Sequence, residues 1–170
     1  MVICMILIIS SLEFLLGTAL HFLYDLFPYP IISLFASTNE SVFEHLKLLV
    51  YPMLIGYLVI YLIKKKEIRK YRQAMLWGIV SGLLSLLFIY YFVRYGLGIE
   101  SLIFDIVLLW MALFIGNSIS LHFYCYSKSS FPILETICLI MIVMIMIIGT
   151  LYPPQVPLFQ EEKVTVRLFQ

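Results

Sequence analysis

Long apolar runs broken by short polar clusters organise this chain, and the runs have membrane length rather than the period of a soluble helix or strand. A helix crossing a bilayer needs ~20 predominantly apolar residues, because each advances about 1.5 Å through a hydrocarbon core about 30 Å thick. Five segments meet that length, at about 2–24, 42–63, 74–93, 101–124 and 131–152, with a short tail over 153–170. The pattern predicts an all-α fold, an integral membrane helical bundle of about five transmembrane helices forming a single membrane domain over 1–170. The first run has no Lys or Arg ahead of it, no small-residue cleavage site behind it and Glu13 in its middle. It reads as a retained span rather than a leader.

Composition agrees with this class: 63% of residues are apolar and 12% charged, which 170 residues cannot wrap around one soluble core. The lipid bilayer is therefore the expected partner. A net charge of +1, with the basic patch confined to one juxtamembrane loop, speaks against a nucleic-acid role. That loop, with Lys64, Lys65, Lys66, Arg69, Lys70 and Arg72, is expected on the cytoplasmic side by the positive-inside rule. Counting spans from it puts the N-terminus inside, the 25–41 and 94–100 loops outside, and the C-terminus outside. Cys4, Cys125 and Cys138 show neither metal-type nor disulfide-type spacing and read as small apolar fillers.

Small residues at four-residue spacing let helix backbones approach closely. Gly78, Gly82 and Ser85 in the third span and Ala112, Gly116 and Ser120 in the fourth predict such a seam, either within the chain or as a homodimer face. Pro52 removes one backbone hydrogen bond from the second span and predicts a kink. The 26–40 connection, with Phe27, Pro28, Tyr29, Pro30 and Phe35, is too apolar to float in water. It is expected to lie at the interface or fold back as a short helix capping the bundle.

Candidate chemistry concentrates in Asn39-Glu40-Ser41-Val42-Phe43-Glu44-His45-Leu46-Lys47, which runs directly into the second span. On a helical wheel Glu13, Gly17, His21 and Tyr24 of the first span fall within about 80° of one another, with Asp25 slightly further round. Glu40, Glu44, Lys47 and Tyr51 share an arc of about 60°, while His45 is turned about 100° away toward Ser41 and Pro52. Asp105 begins the fourth span at the same level. Two histidines with two or three carboxylates is the ligand chemistry of zinc or a similar divalent ion, so His21, Glu44, His45 and Asp105 are candidate ligands. Glu40 or Glu44 is the candidate general base toward an ester or amide bond of a lipid or peptide at the outer leaflet.

The leading reading of the same residues is a structural clasp around a cavity. Ser41-x-x-Glu44 is a capping-box pattern, Lys47 can pair with Glu44 or Glu40, and His21 can pair with Asp25 one turn on. A proton- or ion-coupled transporter is the further alternative, with a relay from Glu13 past His21 to the outer cluster. Asn117 is expected to join His122 and Glu135 in pinning the hairpin at the other end of the bundle.

His21-Phe22-x-Tyr24, Phe35-x-x-x-Asn39 through Lys47, Tyr51-Pro52-Met53, Tyr95-Gly96-x-Gly98 and Pro153-Pro154-x-x-Pro157-Leu158-Phe159 run through nearly the whole chain. Together they resemble the signature of a family of small uncharacterised membrane proteins of Gram-positive, Firmicutes-type bacteria, a domain of unknown function. The resemblance implies a multi-pass protein of the bacterial cytoplasmic membrane and carries no activity. In that family the tail is expected to end in an Asp-Pro turn and Thr-Gly-x-Tyr-Gly, whereas Gln160–Gln170 is charged and lacks those glycines.

Overall fold

A computed structural model describes residues 2–64, 68–128 and 130–160. The helices are α1 (Val2–Leu26), the single turn α2 (Pro30–Ser33), α3 (Val42–Lys64), α4 (Ile68–Tyr91), α5 (Leu102–Tyr126) and α6 (Pro132–Leu151). A π turn over Phe92–Gly96 extends α4, and a 3-10 turn over Pro157–Phe159 follows α6. Among the described residues five helices are long and apolar enough to cross a membrane, from Ile3–Leu26 to Pro132–Leu151. The protein is an all-α, multi-pass membrane bundle. Lys65, Lys66 and the tail from 161 to 170 lie outside the described residues.

Helix ends depart from the apolar runs where polar residues continue the helix. α4 begins at Ile68, ahead of the run that starts at 74, because Lys70, Arg72 and Gln73 propagate the helix beyond the apolar layer. Its other end reaches Gly96 through the π turn, and Gly98 then takes φ +67°, a left-handed conformation that glycine adopts without steric cost. Ser101 caps α5, its hydroxyl accepting from the Phe104 N–H at 3.4 Å.

α3 lies at the centre: half of its span is buried, against 17% for the peripheral α6. The most extensive interface joins α4 and α5. There a Cβ added at Gly116 would come within 2.8 Å of the Gly78 carbonyl oxygen, and one at Gly82 within 3.3 Å of that of Ala112. The small residues of the third and fourth spans therefore face each other inside the chain. Leu49, Met53, Ile79 and Leu113 pack in the buried core around this seam.

The connection between α1 and α3 folds back over the bundle as α2 and a following coil, with Leu26, Phe27, Tyr29 and Ile31 exposed on its outer side. Phe35 packs edge-on against Tyr51 at 5.1 Å between centroids. At the same end the Phe159 ring stacks on Phe43 at 4.1 Å, over the space left by Gly149. These contacts close the loop end of the bundle around the first turns of α3.

Candidate functional site

The local fold of 37–47 starts with a cap. Ser41 precedes α3 and its hydroxyl accepts from the Glu44 N–H at 3.4 Å, while Asn39 Oδ1 accepts from the Ser41 N–H at 3.0 Å. Only half of the expected capping box forms. The Glu44 carboxylate turns away from Ser41, and its Oε2 accepts from the Thr38 N–H at 2.7 Å and the Thr38 hydroxyl at 3.0 Å.

The same oxygen receives the Lys47 ammonium at 2.6 Å, with Lys47 0% and Glu44 4% exposed. Lys47 Nζ also donates to the Ser33 carbonyl at 2.8 Å and to Thr150 Oγ1 at 3.1 Å. An ammonium has three N–H bonds, and each has a partner here. One lysine thus ties α3 to the α2 turn and to the last turn of α6. The pair belongs to the clasp arrangement: Glu44 is not part of the group that gathers around the histidines, and its Oε2 is held by Lys47 and Thr38.

His21, Glu40 and His45 come together beside this clasp, their candidate ligand atoms all within 4.8 Å of one another. Among the described residues this is the group of His, Cys, Asp and Glu side chains that could hold one ion. Glu40 lies before the start of α3, so the wheel of that helix does not govern its direction. Its side chain is 67% exposed and swings across to His21 Nε2 at 3.6 Å and His45 Nε2 at 3.5 Å. The imidazole rings are 5.4 Å apart.

Tautomer chemistry makes the arrangement informative. His45 Nδ1 is 2.9 Å from the Ser41 carbonyl oxygen, which can only accept, so Nδ1 carries a proton. A neutral His45 then presents its Nε2 lone pair to a carboxylate oxygen. Two lone-pair atoms facing each other repel unless a proton or a cation sits between them. A tetrahedral ion with ligands at ~2.0–2.2 Å separates neighbouring ligand atoms by roughly 3.3–3.6 Å. Each histidine Nε2 stands that far from a different oxygen of Glu40, while one ligand atom from each of the three residues lies within 4.8 Å of the others. The Ser41 carbonyl on His45 is also the kind of outer contact that orients a metal-binding imidazole. His21 Nδ1 is buried without a protein partner, leaving its tautomer unassigned by the protein.

The remaining polar residues go elsewhere. Asp105 does not join the histidines; it lies 3.8 Å from Arg94, at the turn that links α4 to α5. Asp25 is exposed at the end of α1, and His21 faces Glu40 instead of it. Glu13 is buried and accepts from Asn117 Nδ2 at 2.6 Å. Asn117 therefore serves the bundle interior and not the far hairpin, where Glu135 accepts from the Phe131 N–H at 3.0 Å and Ser130 Oγ at 3.1 Å, and His122 is exposed beside Tyr126. Ser33, Thr38 and Thr150 complete the clasp and could not be singled out in advance, since isolated hydroxyls and a backbone carbonyl carry no sequence signal.

Fold and site together define a multi-pass helical membrane protein with a buried ion-pair clasp and a histidine–carboxylate group at one end. Within that class the chain belongs to a family of unknown function (DUF6512), which it matches over residues 3–167. No curated protein and no solved structure gives a significant match to it.

Proposed function

We propose that this protein binds one divalent metal ion of the zinc class at His21, Glu40 and His45, and that the Glu44–Lys47 clasp holds the loop and α3 in the geometry this requires. The observation that carries the reading is the approach of His45 Nε2 to the Glu40 carboxylate at 3.5 Å, with the other ring nitrogen already committed to Ser41. Two imidazoles and a carboxylate leave a fourth position for water or substrate, as in zinc sites that bind or transform a ligand. A hydrolytic role on a lipid or peptide would need a base other than Glu40 while it ligates.

The loop carrying Glu40 presents Phe27, Tyr29 and Ile31 to its surroundings, which suits a site at the membrane interface. With the basic 64–72 loop cytoplasmic, this end faces outward from a bacterial cytoplasmic membrane. Metal analysis of protein purified without chelators tests the reading. One equivalent of zinc, lost in both His21→Ala and His45→Ala while Asp105→Asn retains it, is the expected result. A wild type that neither carries metal nor is stabilised by added zinc would overturn it.

A further inference from the structure

Glu13 stands apart from the loop-end site. It occupies the middle of α1 and is 4% exposed. Its Oε2 accepts from Asn117 Nδ2 at 2.6 Å, and the same nitrogen donates to Ser10 Oγ at 3.1 Å. Its Oε1 lies against the bare backbone of Gly56, where an added Cβ would come within 2.5 Å. The neighbouring elements bring no compensating cation: α3 contributes Tyr57, whose phenol is tucked against Gly78 of α4 and Ser120 of α5, and α5 contributes the neutral Asn117. Among the described residues Glu13 has no ion pair. A carboxylate in an apolar interior with one amide donor is poorly solvated, whereas a neutral carboxyl is not.

The seam between Glu13 and the loop end contains a second unusual group. Pro52 has no N–H, so the Leu48 carbonyl four residues earlier loses its normal helical donor. That oxygen lies against Gly17 of α1, where an added Cβ would come within 2.7 Å. Gly17 is one helical turn from Glu13 and one turn from His21, on the same face of α1. The α1 and α3 backbones are therefore in direct contact at a backbone acceptor that lacks its helical donor, midway between the buried carboxyl and the histidine end.

We propose that Glu13 is a proton-binding site within the membrane, loaded from the loop end along the α1/α3 seam past the Leu48 carbonyl. The Leu48 carbonyl offers a transient water an acceptor in the seam when α1 and α3 part, and Asn117 keeps the carboxyl turned toward the interior when the proton leaves. This holds whether or not a metal occupies the loop end, because none of its groups is a proposed ligand.

Infrared spectroscopy of the full chain in lipid vesicles tests it. At neutral pH the wild type should show a carboxylic-acid C=O band that is absent in Glu13→Gln and that shifts promptly in D2O. Asn117→Ala removes the amide donor but keeps the carboxyl, so it should move the band, and it assigns the band if Glu13→Gln fails to fold. Pro52→Ala returns an N–H to the Leu48 carbonyl and so removes the free acceptor; it should keep the band and slow its response to D2O by an order of magnitude or more. Absence of the band in the wild type overturns the proton site, and so does a band that does not exchange. A wild-type exchange rate in Pro52→Ala overturns the route.

Discussion

Replacing Lys47 by Met should destabilise the protein by about 3–5 kcal/mol, the cost of leaving one member of a buried ion pair without its partner. At the observed 2.6 Å the attraction between Lys47 and Glu44 is ~6 kcal/mol for an effective dielectric of about 20. Taking both ions out of water costs several kcal/mol each, so the intact pair contributes little net stability; the loss appears when one charge remains. After Lys47→Met the Glu44 carboxylate keeps Thr38 as donor but loses its counter-ion, and the Ser33 carbonyl loses its donor. Lys47→Met combined with Glu44→Leu removes both charges and should be less destabilised than the sum of the two single variants, by ~3 kcal/mol or more. Reversible unfolding of the four proteins in mixed micelles, analysed as a double-mutant cycle, measures this. A coupling below ~1 kcal/mol, the range of exposed pairs, would show that Lys47 and Glu44 do not meet in the folded protein.

Glu40→Gln should lose zinc while Glu44→Gln retains it, since an amide is a poor ligand and only Glu40 faces the imidazoles; metal content of the two purified variants checks the distinction. Gly116→Ala should cost about 1–3 kcal/mol by pushing α5 away from the Gly78 carbonyl and Met53, read as a lowered unfolding midpoint; an unchanged midpoint would mean that α4 and α5 are not in backbone contact. Reporters active only in the cytoplasm should work when fused after residue 68 and fail after residue 97 or at the C-terminus, and an active C-terminal fusion would reverse the proposed orientation of α6.

The helical class was legible along the chain because bilayer thickness imposes a length that hydropathy registers directly: apolar runs near 42–63 and 101–124 become α3 and α5 with ends shifted by a residue or two. Local chemistry was legible as well. Ser41 caps α3, the Pro30 turn folds back over the bundle, and the small residues of α4 and α5 meet, since each depends on neighbours within a few positions or on a four-residue period. Which charge meets which was not. Glu44 and Glu40 are both acidic and four residues apart, yet one lies inside a helix facing Lys47 and Thr38, and the other sits in the preceding coil and turns to His21 and His45. A helical wheel treats them alike because it assumes a helix that begins only at Val42. Asp105 and Asn117 make the same point across elements: their partners, Arg94 and Glu13, are set by the turn that joins α4 to α5 and by the packing of α1 on α5. Apolar runs specify that helices enter the membrane together, but lipid and helix flanks are equally apolar, so hydropathy does not specify the order in which they pack; close backbone contacts at Gly17, Gly78 and Gly116 and the buried polar pairs decide it.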